Sequence, residues 1–73
     1  MNESEIAVAP MHRLCEKAGA DRVSQAGAME LAKILEEVGA KIAREALDYA
    51  VHAHRKTIKA EDIVIATRKV MKK

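Results

Sequence analysis

The feature that most constrains this chain is one helical stretch, residues 24–53, whose apolar face is too long for the rest of the chain to cover. At 1.5 Å per residue it would run to about 45 Å, whereas a compact domain of 73 residues is only about 25 Å across. Met29, Leu31, Leu35, Val38, Ile42, Ala46, Tyr49 and Ala53 recur at steps of mostly three or four, and Ile34, Leu47 and Ala50 widen the stripe. The two short segments left over cannot wrap such a rod. The stripe therefore predicts obligate dimerisation, with a second chain supplying the missing cover.

Composition points the same way. The chain is one domain in length and has no Phe or Trp; Tyr49 is its only aromatic residue. A core of aliphatic side chains and many alanines is thin, and a second protomer would roughly double it. The alanines of the long stretch are also strong helix formers that let backbones approach closely. No apolar run is long enough to span a membrane, and the N-terminus lacks the basic-then-apolar pattern of a signal peptide. The single cysteine, Cys15, has no partner for an internal disulfide, which suits a reducing, intracellular setting.

Charge is more informative by segment than in total. Residues 51–73 hold seven basic side chains (Arg55, Lys56, Lys59, Arg68, Lys69, Lys72 and Lys73) against Glu61 and Asp62, although the whole chain is only +2. A basic C-terminal third predicts a polyanionic partner, but lysine-rich helix ends are also common and suit the helix dipole.

Three helices are expected. Residues 1–6 are predicted to be a flexible N-terminal extension ahead of a domain at 7–73. Pro10 is suited to the first turn of a helix, which Met11, Leu14, Cys15 and Ala18 continue and Gly19 ends as a left-handed cap. Ser24 is a natural N-cap for the long helix. Gly27 and Gly39 disfavour that helix by about 1 kcal/mol each, so they predict tight packing. Lys33, Glu37, Lys41 and Glu45 form an alternating ladder on a solvated face. Arg55, Lys56, Thr57 and Ile58 connect to a third helix with Glu61 and Asp62 in its first turn and Ile63, Ile65, Ala66 and Val70 on its apolar face.

These residues resemble a known family. Ala9-Pro10, Ala18-Gly19-Ala20-Asp21-Arg22-Val23-Ser24, Leu31-Ala32-Lys33-Ile34-Leu35-Glu36-Glu37 and Arg55-Lys56-Thr57-Ile58-Lys59-Ala60-Glu61-Asp62-Ile63 resemble the archaeal histones over nearly the whole chain. The resemblance implies an all-α histone fold, short helix, long central helix, short helix, that forms a head-to-tail handshake dimer with the long helices crossed. It implies binding, bending or wrapping of double-stranded DNA without base specificity, compaction of the chromosome, and a cytoplasmic, nucleoid-associated location. By the same resemblance, Arg22 enters the minor groove, Lys56 neutralises a phosphate, Thr57 hydrogen-bonds one, and Arg13 makes a further contact. Arg55 and Asp62 match an internal salt bridge that ties the second loop to the third helix. Tyr49, His52 and Asp62 match positions where dimers meet, and a His52–carboxylate contact there would make assembly pH-sensitive. Gly19 matches a position whose small size lets turns of a DNA superhelix stack, although a simple helix cap explains it equally well.

The chain departs from the family pattern at Glu16, where relatives often place a lysine, at Ala28 and Val51, which are often arginine, and at His54, where glycine is common. Tyr49 is bulkier than the usual aliphatic residue. These departures predict weaker DNA binding or an altered junction between dimers.

Enzymatic readings are poorly supported. His12 and Cys15 lie three apart on one helix, but a buried thiol explains Cys15 better than metal or thiol chemistry. His52 and His54 fall on different helix faces with no cysteine cluster. No metal, cofactor, small-molecule substrate or membrane partner is expected. The alternative to a DNA-packaging protein is a histone-fold module that pairs with another protein and barely touches DNA. The joint presence of Arg22, Lys56 and Thr57 favours DNA. Whether the partner is a second copy or a paralogue is open.

Overall fold

The computed structural model describes the backbone of residues 3–72 and the side chains of residues 7–72. The described residues form three α-helices and no strand: α1 (Glu3–Lys17), α2 (Gln25–His52) and α3 (Ala60–Val70). At 28 residues α2 is about 42 Å long. By contacts the chain divides into two compact units, Met1–Glu36 and Glu37–Lys73, with α2 running through both.

In the first unit, α1 starts earlier than the sequence suggests. It begins at Glu3, which puts Pro10 inside the helix, about two turns in, and not in its first turn. Proline has no N–H for the carbonyl four residues back, so the turn at Ile6 goes without one bond. Of the flexible extension expected at residues 1–6, Met1 and Asn2 lie outside the described residues, while the backbone of residues 3–6 belongs to α1.

Gly19 ends α1 with φ 111°. Its N–H donates to the Glu16 carbonyl at 2.9 Å and the Ala20 N–H donates to Cys15 at 3.1 Å, the paired bonds of a Schellman turn. Ser24 then caps α2: its Oγ accepts the Gly27 N–H at 2.9 Å. A Cβ on Gly27 would stand 3.1 Å from that same Oγ, so this glycine keeps the cap uncrowded. Val8, Ala28 and Ala32 form the buried apolar set of this unit.

The second unit repeats the pattern. Ala46, Ala50 and Ala66 are fully buried where α2 and α3 pack. Glu45 leaves the exposed ladder expected of it; it is half-buried and pairs with Lys69 of α3, Oε2 to Nζ 2.8 Å. This pairing raises the Lys69 pKa, chiefly through its hydrogen bond to Glu45. At the end of α2 the His54 N–H donates to Val51 at 2.9 Å and the Arg55 N–H to Ala50 at 2.8 Å, a second Schellman turn with His54 at φ 61° where Gly19 sits in the first.

The chain buries small side chains and leaves large ones open. Leu14, Leu35, Leu47, Val51, Val64 and Ile65 are all exposed, Leu35 at 42% and Val51 at 57%. The apolar face expected on α3 is only partly covered, since Ala66 is buried but Ile63 and Ile65 are not. Gly39 is also open: a Cβ there would meet no atom within 4 Å. The tight packing expected at Gly39 is therefore not made within this chain.

Candidate nucleic-acid interface

The candidate contacts lie on two short loops and one helix. In the first unit, Arg22 stands between the Schellman turn at Gly19 and the Ser24 cap, two fixed points only a few residues apart. Its side chain is exposed and has no hydrogen-bond or ion-pair partner among the described residues. Arg13 on α1 is exposed and equally free. Gly19 faces open space, so its own chain needs it for its backbone conformation and not for close packing.

In the second unit, the loop holding Lys56 and Thr57 is fixed by Arg55. The guanidinium grips the Asp62 carboxylate with two bonds, Nη1 to Oδ2 at 3.0 Å and Nη2 to Oδ1 at 3.1 Å. Nη1 also donates to the Thr57 carbonyl at 2.9 Å. Asp62 has a second task. Its Oδ2 accepts the Lys59 N–H at 2.8 Å, so it caps α3 from within the first turn, where Lys59 has no acceptor to offer. One carboxylate thereby joins the end of α2, the loop and the start of α3. Asp62 is only 3% exposed, and no buried side-chain polar atom among the described residues lacks a partner.

The electrostatics follow from this geometry. The Arg55 hydrogen bond, then the Lys59 N–H, hold the Asp62 carboxyl below the usual carboxylate range, and Asp62 in turn raises Arg55. With Arg55 so engaged, Lys56 is left as an exposed cation with no partner among the described residues, beside the exposed Thr57 hydroxyl. A rigid loop that presents an unpaired ammonium and a hydroxyl is suited to a phosphate diester.

The residues expected at a dimer junction are partly arranged for contact. Tyr49 is half-buried and His52 exposed. His52 Nδ1 lies 2.8 Å from the Asp48 carbonyl; a carbonyl only accepts, so Nδ1 carries the proton and a neutral ring leaves Nε2 as an acceptor. Asp62 is mostly spent within the chain. Oδ2 serves both Arg55 and Lys59, so only Oδ1 retains capacity for another donor. Neither the Glu45–Lys69 link nor the capping role of Asp62 is foreseen from the sequence. The second had a signal, an acid three residues into a helix whose preceding residue cannot cap. Among the described residues no cluster of His, Cys, Asp and Glu could hold a metal ion, and no helix is long and apolar enough to cross a membrane.

Residues 4–67 match the family model described as histone-like transcription factor (CBF/NF-Y) and archaeal histone. The chain belongs to this histone-fold family. Within it, the chain is 46% identical over 65 residues to an archaeal histone HAN1 subunit of Thermococcus zilligii, covering 89% of this chain and 97% of that one. It is 49% identical, with the same coverage, to probable archaeal histone 3 of Methanocaldococcus jannaschii. The histone-fold family is one of DNA-binding, chromatin-associated proteins that dimerise, and it is not enzymatic. The three-helix, all-α order of the chain is that of the histone fold.

Proposed function

We propose that this chain forms a handshake dimer that binds double-stranded DNA without sequence specificity and bends or wraps it to compact the chromosome. The observation that carries this reading is the Arg55–Asp62–Thr57 clamp, which holds an unpaired Lys56 and the Thr57 hydroxyl outward on a fixed loop. In a handshake dimer the first loop of one chain lies beside the second loop of the other. Arg22 of one protomer then works with Lys56 and Thr57 of its partner on one stretch of duplex, Arg22 in the minor groove and the other two on phosphates. Arg13 adds a backbone contact from α1. The open leucines, valines and isoleucines of the single chain are the surface such a partner covers.

Beyond the dimer, Tyr49, His52 and Asp62 form the junction through which dimers join on DNA, and Gly19 leaves room for successive turns to stack. His52 Nδ1 is committed to the Asp48 carbonyl, which leaves Nε2 as the ring atom available to a partner dimer. Whether the partner chain is a second copy or a paralogue is the one point with a second reading. The Thermococcus relative is named as one of the subunits of HAN1, which favours a heteromeric pairing, and native mass spectrometry of the purified chain separates the two.

The test is the salt dependence of DNA affinity. Wrapping dimers lose affinity steeply as salt rises, because each neutralised phosphate releases counterions. Lys56→Ala should flatten the slope of log K against log salt by about one for each contact removed, and weaken all sequences alike. An unchanged slope removes Lys56 from the interface. Absence of any binding at low salt by the unaltered protein would sink the DNA reading and favour the protein-partner alternative.

A further inference from the structure

We infer that the outward face of α3, formed by Glu61, Val64, Ile65 and Arg68, is a self-complementary contact through which dimers of this chain join one another in the absence of DNA. The inference rests on the handshake dimer of the reading above. These four positions follow the spacing that makes one stripe along a helix. α3 meets its own α2 on a different side, through Ala66 and the Lys69–Glu45 pair. A second stripe, Ile63, Thr67 and Val70, flanks that side and is already half-buried at Thr67 and Val70. Ile63 and Ile65 are two residues apart and so stand on nearly opposite sides of the helix, where no single partner helix touches both. A handshake partner that completes the Ile63 stripe therefore leaves Val64 and Ile65 open, and they are 50% and 47% exposed.

The charges on this face say what covers it. Glu61 and Arg68 are exposed, and neither has a hydrogen-bond or ion-pair partner among the described residues. They lie two turns apart on α3, about 10 Å, too far to pair with each other. Arg68 has no acid three or four residues away on its own helix. Glu61 stands three residues before Val64, and Arg68 three residues after Ile65. The stripe is thus symmetric about its centre with the charges reversed. An antiparallel copy of α3 centred on the same point sets Val64 against Ile65, Glu61 against Arg68, and Arg68 against Glu61. Ile58 and Met71, both exposed, extend the apolar pattern by the same symmetry. Such a two-fold contact is the self-matching kind that identical chains make. A carboxylate and two aliphatic side chains are a poor match for phosphates, so DNA is not the occupant. With only 11 residues in α3, the contact is smaller than a standard stable interface. Joining is therefore weak and grows with concentration. Each handshake dimer carries two such faces, so the assembly extends dimer by dimer.

The experiment is sedimentation equilibrium of the purified chain without DNA over a dilution series, for the unaltered protein, Arg68→Glu, the charge swap Glu61→Arg with Arg68→Glu, and Val64→Ala. Circular dichroism reads the helix content of each. The unaltered protein should pass from dimers to multiples of a dimer as it is concentrated. Arg68→Glu should raise the dissociation constant of that step by about tenfold, because two exposed ion pairs give way to two like-charge pairs. The double swap restores both pairs with their signs exchanged, so it should recover the joining that Arg68→Glu loses. Val64→Ala, at an exposed position of a helix, keeps the fold and should also weaken joining. A dimer that grows no further at any concentration overturns the inference alone. So does growth that neither Arg68→Glu nor Val64→Ala weakens, which assigns joining to Tyr49 and His52. A folded double swap that associates no better than Arg68→Glu rules out the antiparallel pairing. A monomer at every concentration overturns the handshake dimer as well.

Discussion

At the scale of single residues, the two loops are built on one device with different occupants. Gly19 and His54 each sit at the left-handed position of a Schellman turn, at φ 111° and 61°. For a residue with a Cβ this conformation costs roughly 1–2 kcal/mol. His54→Gly should therefore stabilise the fold by about 1 kcal/mol, read as a rise in Tm at fixed protein concentration. Gly19→Ala should lower it by a similar amount, even though a Cβ at Gly19 would touch nothing. Equal effects of the two substitutions would show that backbone strain is not what distinguishes the sites. Both positions were visible in the sequence, Gly19 as a helix cap and His54 as a departure from a common glycine. What the sequence did not show is that the histidine takes up the glycine conformation with its ring left unpartnered.

At the scale of elements, α3 and the second loop depend on one buried carboxylate. The Asp62 pKa is depressed in the folded chain by Arg55 and the Lys59 N–H. Its stabilising contribution is therefore complete above the unfolded aspartate value, about 3.9, and is lost as pH falls through the lower folded value. Asp62→Asn should lower stability at neutral pH and flatten the acid limb of the stability–pH curve, measured by denaturant unfolding across that range. Its DNA salt slope should fall as well, because Lys56 and Thr57 lose the clamp that orders them. A variant with the lowered stability but an unchanged slope would mean that the clamp does not position the contacts. The three helices, the Ser24 cap and the loop positions were legible because periodicity and capping chemistry are local. The start of α1 was not, because proline fits a first turn so well that Pro10 reads as a boundary, while the residues before it continue the helix to Glu3. The destination of Glu45 was not legible either. Its spacing from Lys41 fits a ladder within α2, and only packing brings Lys69 of α3 within 2.8 Å.

At the scale of the whole molecule, the question is what covers α2. Ala32, Gly39 and Ala46 are spaced one heptad apart and so lie along one face of the helix. The two alanines are buried, at 2% and 0% exposure, yet a Cβ on Gly39 between them would meet nothing within 4 Å. In a lone chain, Gly39→Ala should therefore do one thing, raise helix propensity, and stabilise by about 1 kcal/mol. In a handshake dimer the long helices cross near their midpoints, and Gly39 is near the midpoint of Gln25–His52. An added methyl group on each protomer would then push the crossing helices apart and expose apolar surface along both. The expected outcome is that Gly39→Ala weakens the dimer in spite of its better propensity. Sedimentation would show a larger dissociation constant, and Tm would fall and depend more strongly on protein concentration, since unfolding is linked to dissociation. A Tm that rises and remains independent of concentration would place the crossing elsewhere and leave the open leucines and valines of the chain to some other cover. The sign of this one substitution separates the two cases because propensity and packing act on the same atom in opposite directions.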